Sequence, residues 1–172
     1  MKGEMTLQEL EFQVSKIIGE PLWAATAGKG TGSNVLLKFG KKIEKKSPSQ
    51  NPNISEDAGK YNGEFDFMIY CPWRIENNLR IISGSSDSNE PDAAMLKGLD
   101  TLINKKVKSI KVDPFMDLFI TFEDDSVFRT ICDISLGEYD RYFMIVTNEQ
   151  IAYCVNENGE IYHENSFSNS NS

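Results

Sequence analysis

The second half of the chain is a succession of short apolar runs separated by turn residues, and this pattern restricts the fold more than any other. The runs cover about 106–112, 117–123, 126–133, 141–147, 150–155 and 160–163. The segments between them favour tight reversals: Asp113-Pro114, Glu123-Asp124-Asp125-Ser126, Asn148-Glu149 and Asn158-Gly159. Runs of this length, joined by turns this short, predict an antiparallel meander.

Two helices are predicted, one before each set of strands. Thr6-Leu7-Gln8-Glu9 has the spacing of a capping box, and apolar residues then recur at helical intervals as far as Ile18. Gly19 and Pro21 end this first helix. The second helix is predicted near 91–103, with Pro91 and Asp92 in its first turn.

The first half also contains strand-like runs. They are 22–26, 35–39, 64–71, 73–76 and 79–83, and the run 64–71 alternates apolar and polar residues as a half-buried strand does. Residues 40–63 are rich in Lys, Ser, Pro and Asn, which predicts one long exposed loop. The tail 166–172 is rich in Ser and Asn and is predicted to be disordered.

The two halves resemble each other in the order of their elements. Each has a helix, a short segment (18–22 or 103–107), an apolar strand (35–39 or 118–122) and a further strand. The predicted fold class is therefore α+β, in one domain over 1–165. Two helix-plus-antiparallel-meander halves, about 1–88 and 89–165, are expected to share one core, an arrangement that suggests internal duplication.

Acidic residues are concentrated toward the C-terminus. The chain has 18 basic and 26 acidic residues, a net charge of −8. Residues 113–164 hold twelve acids against Arg129 and Arg141, a net charge of −10, whereas the rest of the chain carries +2. Such a field repels nucleic acid and anionic membranes and attracts a basic protein, so we expect neither a nucleic-acid nor a membrane partner.

No pattern in the sequence indicates catalysis, a metal site or a cofactor. The segment 28–33 is Gly-rich, but its Lys29 comes too early for a phosphate-binding loop and a strand follows it, which favours a hairpin. The lysines at 41, 42, 45 and 46 are interpreted as a solvated loop. His163 is the only histidine and lies near an end predicted to be frayed. A hydrolase that uses buried carboxylates remains a third class of function.

The three cysteines do not have the spacing of a disulfide framework or of a zinc site. Cys71, Cys132 and Cys154 each fall in a strand-like run, which is typical of buried free thiols in a reducing compartment. The N-terminal residues lack the apolar stretch of a signal peptide, and no apolar run approaches the roughly 20 residues of a membrane span. We therefore predict a cytoplasmic protein.

The aromatic residues leave one question open. Trp73-Arg74 and the group Tyr139, Tyr142 and Phe143 are either core or contact surface, because aromatic residues dominate both.

Three segments resemble a family of small, mostly uncharacterised bacterial proteins associated with toxin–immunity loci. They are Ile18-Gly19-Glu20-Pro21-Leu22 with its following strand, Cys71-Pro72-Trp73-Arg74-Ile75 with Ser83-Gly84-Ser85-Ser86-Asp87, and Leu118-Phe119-Ile120-Thr121-Phe122 with Arg141-Tyr142-Phe143. The chain departs from the family pattern at Phe67-Met68 and at Tyr139-Asp140. The resemblance implies an immunity role and supplies no catalytic residue.

The leading hypothesis is an immunity-type protein that neutralises a cognate, basic toxin domain, as a monomer or weak homodimer. The partner-binding residues predicted for it lie in or near the acidic turns: Asp113, Asp117, Glu123, Asp124, Asp125, Glu138 and Asp140. The alternative is a non-catalytic interaction or scaffold domain, for example a homodimer that uses Trp73 and the aromatic strands.

Overall fold

A computed structural model describes residues 2–28, 31–133 and 140–166. Its helices are α1 (Leu7–Val14), extended by a 3₁₀ turn (Ser15–Ile17), α2 (Glu56–Lys60) and α3 (Ala94–Asp100). Its strands are β1 (Gly3–Glu4), β2 (Leu22–Gly28), β3 (Gly32–Glu44), β4 (Tyr61–Ile69), β5 (Trp73–Asn77), β6 (Arg80–Gly84), β7 (Val107–Val112), β8 (Leu118–Phe122), β9 (Val127–Thr130), β10 (Asp140–Val146), β11 (Ile151–Asn156) and β12 (Ile161–Asn165). The predicted tail lies outside the described residues, except for Ser166.

The strands form two antiparallel sheets. One has seven strands in the order β1-β12-β11-β10-β4-β3-β2, and the other has five in the order β6-β5-β9-β8-β7. The α+β class with antiparallel sheets is confirmed.

The chain crosses between the sheets twice, in opposite directions. The meander β2-β3-β4 belongs to the seven-stranded sheet, and the chain then crosses to β5 and β6 in the five-stranded sheet. The meander β7-β8-β9 belongs to the five-stranded sheet, and the chain then crosses back to β10, β11 and β12. At the junctions β4 pairs with β10 and β5 pairs with β9, so each sheet contains strands from both halves of the sequence.

The segments that follow α1 and α3 pair with each other. Gly19 N–H donates to the Val107 carbonyl at 2.8 Å, and Asn104 N–H donates to the Leu22 carbonyl at 2.7 Å. Gly19 and Asn104 both have positive φ, +86° and +67°. The paired residues belong to the segments 18–22 and 103–107, which occupy equivalent positions when the sequences of the two halves are compared.

The first helix begins and ends as its sequence predicts. The Thr6 side chain accepts from the Glu9 amide, and the Glu9 carboxylate accepts from Thr6 N–H at 2.7 Å, which completes the capping box. Leu10, Val14 and Ile17 are buried, and the helix packs against β7. Gly19 ends it in the left-handed conformation that glycine adopts without strain.

One continuous apolar core lies between the sheets and contains residues from both halves. It extends from Leu10 in α1 to Ile161 in β12. At its centre the Trp73 indole stacks on the Phe128 ring with centroids 5.3 Å apart. A smaller apolar cluster around Cys154 and Tyr162 lies apart from this core.

The prediction of one exposed loop over 40–63 is wrong. Strand β3 continues to Glu44 beyond an irregularity at Gly40, whose φ is +72°, and it pairs with the start of β4. A short helix, α2, follows, capped by the Ser55 side chain. Lys42 and Lys45 from the basic run fix this segment, since Lys42 pairs with Asp57 and Lys45 donates to the Ala58 carbonyl. Ladder hydrogen bonds need no apolar side chains, so composition could not reveal this extension.

The second helix is shorter than predicted. It covers only Ala94–Asp100, so Pro91 and Asp92 precede it rather than form its first turn. Asp92 has a φ of +61°, which is not helical. At the other end the chain leaves the helix at Thr101 and turns so that Asn104 reaches β2.

A buried ion pair connects β3 and β4 on the face away from the main core. Lys38 and Asp66 are direct cross-strand neighbours, and Lys38 Nζ lies 2.9 Å from Asp66 Oδ2. Their side chains are only 2% and 8% exposed. Asp66 Oδ1 also accepts from Gly63 N–H at 2.9 Å. Burial raises the pKa of Asp66, and Lys38 opposes that rise.

The Lys38→Met variant should be destabilised by about 3 kcal/mol, because it leaves a buried carboxylate without its cation. The double variant Lys38→Met/Asp66→Asn should recover much of that loss, since the amide oxygen of the introduced asparagine keeps an acceptor for Gly63 N–H. Urea unfolding of the wild type, both single variants and the double variant measures the coupling energy. Additive effects of the two substitutions would show that the pair is not energetically coupled.

Candidate partner-binding site

Strand β8 separates the predicted acidic residues into two groups. Asp113 and Asp117 lie in the turn before it, whereas Glu123, Asp124 and Asp125 lie in the turn after it. The two turns are about 20 Å apart along the strand at 3.3 Å per residue. The predicted residues therefore do not form one continuous surface, and Glu138 lies outside the described residues.

Lysines from the segment before β8 neutralise much of the second group. Lys105 Nζ lies 2.5 Å from Asp124 Oδ2, and Lys108 Nζ lies 2.5 Å from Asp125 Oδ1. Asp124 Oδ1 also accepts from the Ser126 hydroxyl and amide. Partial burial acts to raise the pKa of Asp124, but the hydrogen bonds from Lys105 and Ser126 outweigh it and lower the pKa to about 2. All three carboxylates of this turn, Glu123, Asp124 and Asp125, are exposed.

The first group holds the β7–β8 turn in shape. Asp113 Oδ1 accepts from the amides of Phe115 at 2.8 Å and Asp117 at 2.9 Å. Asp117 Oδ1 accepts from Cys132 N–H at 2.7 Å, so this turn is attached to the segment after β9. One oxygen of Asp113 is thus used by the fold itself. Asp117 is held more tightly, because its Oδ2 lies 4.0 Å from the Arg129 guanidinium and its side chain is only 13% exposed.

Arg141 connects this turn to the start of β10 and the end of β11. Its guanidinium donates to the Phe115 carbonyl at 3.0 Å and to the Glu157 carbonyl at 2.7 Å. A small pocket of about 70 Å³ beside it is lined by Tyr70, Cys71, Pro72, Cys132, Asp133, Asp140, Arg141 and Glu157. We call five carboxylates the acidic end: Asp133, Asp140 and Glu157, which line this pocket, with Asp113 and Asp117 of the neighbouring β7–β8 turn.

Exposed aromatic side chains accompany these carboxylates. Phe115 is 79% exposed at the tip of the β7–β8 turn, and Tyr70 is 42% exposed beside the pocket. Neither residue was predicted as a contact residue, nor were Asp133 and Glu157. The sequence signal for Phe115 was its place between Pro114 and Met116 in a turn, where a large apolar residue has no core to enter.

Trp73 and Tyr142, which the sequence allows as either core or contact surface, belong to the core. Trp73 is 2% exposed, and its indole N–H donates to the Ser33 carbonyl at 2.7 Å. Tyr142 is buried and Phe143 is half-buried. Arg74 is half-buried and pairs with Glu76. Tyr139 lies outside the described residues.

The described residues bear on the sequence expectations for metal ligands and for buried carboxylates. Within them, no group of three or more His, Cys, Asp or Glu side chains is placed to hold a metal ion. The one buried carboxylate in the described part of the chain is Asp66, which pairs with Lys38. His163 lies in β12 between β1 and β11, so it is part of a ladder rather than of a frayed end.

The Gly-rich segment joins β2 to β3, and no helix follows it. Gly28 and Gly32 are cross-strand partners. Lys29 and Gly30 lie outside the described residues. Among the helices of the described residues, none is long and apolar enough to span a membrane.

Comparison with protein-family models, with curated proteins and with solved structures gave no significant match.

Removing the charge of Asp124 should have a pH-dependent effect on stability. Because the folded-state pKa lies below the unfolded value, the ionised carboxylate stabilises the fold above about pH 4, and this contribution is lost as the pH falls toward 2. Asp124→Asn should cost about 0.5–1 kcal/mol at pH 7, a range suited to a partly exposed pair, and less at each lower pH in this window. Urea midpoints at several pH values measure the difference.

Asp125→Asn is the matched control, because it removes the more exposed ion pair with Lys108 from the same turn. Equal, pH-independent losses in the two variants would contradict the role given to Lys105 and Ser126.

Proposed function

We propose that this chain is a bacterial immunity-type protein that binds and blocks a cognate toxin domain through the acidic end. The observation that carries the proposal is that four separate parts of the chain bring five carboxylates to Arg141 and the neighbouring β7–β8 turn, which carries the exposed Phe115. Asp113, Asp117 and Asp140 belong to the predicted set, and Asp133 and Glu157 are added to it.

The chemistry of this surface suits a basic protein cleft. Carboxylates can replace substrate phosphates against Lys and Arg, with short charge-assisted hydrogen bonds. An exposed aromatic side chain beside them supplies the apolar anchor that charged contacts alone lack. A negative field also speeds the encounter with a positive partner, which matters for an inhibitor that must act before the toxin does.

Blocking of this kind needs shape and charge but no reaction. We therefore propose a non-catalytic protein without a cofactor, located in the cytoplasm with its partner, and monomeric or weakly dimeric until it binds. Its partner is a protein rather than a nucleic acid or a membrane, since the net charge of −8 repels both.

We also infer that the two halves arose by internal duplication. Two observations support the inference. Each half places a three-stranded meander in one sheet and its following strands in the other sheet, and the segments 18–22 and 103–107 pair with each other. The helices support it too, because α1 contacts β7 and α3 contacts β2, each the first strand after the other helix.

Charge reversal at the acidic end should slow association with the toxin. The probe is the C-terminal domain of the protein encoded immediately upstream of this chain, in a catalytically inactive form. Asp133→Lys should lower the association rate constant about tenfold at low salt, and Glu157→Lys should act in the same direction. The wild-type affinity should fall as salt rises. Stopped-flow mixing at two salt concentrations measures both effects.

Glu123→Lys is the matched control, because it makes the same change of two charges at an exposed position at the far end of β8. Its effect should be much smaller. Equal effects of Asp133→Lys and Glu123→Lys would assign the attraction to net charge alone, and a larger effect of Glu123→Lys would move the contact to the β8–β9 turn.

A homodimeric scaffold is the second candidate, and the structure offers a different surface for it than Trp73. Strand β6 is an edge of the five-stranded sheet. Leu79, in the turn just before it, is 102% exposed, and Ile81, near its start, is 65% exposed. An edge with exposed apolar side chains can pair with the same edge of a second copy.

Sedimentation velocity over a wide concentration range separates the two candidates. If the chain acts as a homodimer through β6, its sedimentation coefficient should rise with concentration, and Ile81→Lys should abolish the rise. A concentration-independent monomer that sediments faster only with the upstream-encoded domain would support the immunity function instead.

A further inference from the structure

Two cysteines that are far apart in the sequence meet where the chain crosses between the sheets. Cys71 lies between β4 and β5, and Cys132 follows β9, so neither lies within a strand as the sequence suggested. Their Sγ atoms are 3.8 Å apart, and both thiols are free. The spacing of the cysteines gave no sign of this contact.

We propose that Cys71 and Cys132 form a peroxide-sensitive dithiol site, whose oxidation gives a disulfide that ties the two crossing segments together.

The backbone holds the two segments side by side. Ile131 N–H donates to the Pro72 carbonyl at 2.7 Å, and Trp73 is the cross-strand partner of Thr130. A disulfide requires the sulfur atoms to approach from 3.8 Å to about 2.05 Å. Rotation of the two side chains can supply much of this approach, so both sheets can remain in place.

The pocket at the acidic end gives a small oxidant access to both sulfurs. Cys71 and Cys132 are each half-buried, and both line the pocket of about 70 Å³. This volume accommodates hydrogen peroxide, which is little larger than water. Peroxide is therefore the class of oxidant that the site favours.

The contact between the two thiols makes their pKa values differ. The Cys132 S–H donates to Cys71 Sγ, and this hydrogen bond lowers the pKa of Cys71. The same hydrogen bond, followed by burial and the nearby Asp117 carboxylate, raises the pKa of Cys132. Cys71 is thus the nucleophile and Cys132 the resolving thiol.

The reaction balances with peroxide alone. The Cys71 thiolate attacks one peroxide oxygen, the O–O bond breaks, and the sulfenic acid of Cys71 forms while the leaving hydroxide takes up the proton that Cys71 had lost. The Cys132 sulfur, on losing its proton, then attacks Cys71 Sγ and displaces the sulfenic oxygen, which leaves as water with that proton. Two thiols are oxidised by two electrons, and one peroxide is reduced to two waters.

Cys154 provides an internal control. It lies in β11 and is 1% exposed, and burial raises its pKa to about 12. A thiol in this state reacts slowly with peroxide, so the proposal predicts selective oxidation of the other two cysteines.

The test treats the full-length protein with hydrogen peroxide at neutral pH. We expect the number of free thiols to fall from three to one, the intact mass to fall by two hydrogens, and non-reducing digestion to give a peptide that joins Cys71 to Cys132. Dithiothreitol should restore all three thiols. The Cys154→Ala variant should form the same disulfide at the same rate.

Two further variants separate the steps. Cys132→Ser should accumulate a sulfenic acid at Cys71 that dimedone traps. Cys71→Ser should react at least about tenfold more slowly, because burial and the Asp117 carboxylate still raise the pKa of Cys132 and Cys154 is buried. In the wild type the closed loop of about 60 residues should raise Tm by about 5 °C or more after oxidation.

Three results would overturn the proposal: retention of all three thiols in the wild type, a disulfide that includes Cys154, or cross-links only between molecules. The peptide map of the wild type decides the matter by itself if a variant fails to fold.

Discussion

The fold depends on two crossings that lie side by side. The chain leaves the seven-stranded sheet after β4 and returns to it before β10, and each departing strand pairs with the strand arriving from the other half. Neither sheet is complete without both halves. Because β4 pairs with β10 and β5 with β9, the junctions cannot form until distant parts of the chain have met. The order of the strands therefore favours cooperative assembly over independent folding of the halves.

The distribution of charge in space differs from its distribution along the chain. The acidic segment 113–164 has few basic residues of its own, but β7 and the residues before it supply Lys105 and Lys108 to Asp124 and Asp125. A second concentration of acid lies at the other end of β8, around Arg141. The net charge of a sequence segment sums residues that are adjacent in the chain, whereas a partner is attracted by charges that lie on one surface.

Local patterns predicted most of the regular structure. The capping box of α1 and the strands of the second meander needed only neighbouring residues, and both were found near their predicted positions. Features that depend on distant residues were missed. Strand β1 is two residues long and exists because it pairs with β12, and the end of β3 exists because it pairs with the start of β4. The alternation in β4 predicts a solvent-facing Asp66, but in the fold its side chain is only 8% exposed and pairs with Lys38.

The candidate site was predictable only in part, for the same reason. Turn chemistry placed Asp113 and Asp117 correctly in a tight turn, but only the folded chain shows that Asp117 binds the amide of Cys132 and that Arg141 reaches Phe115 and Glu157. The acidic end is thus attached to the crossing that brings Cys71 and Cys132 together. A contact surface whose carboxylates already accept hydrogen bonds from the fold loses little conformational entropy when a partner binds. Under the proposed function, such a surface would reach its partner already shaped for binding.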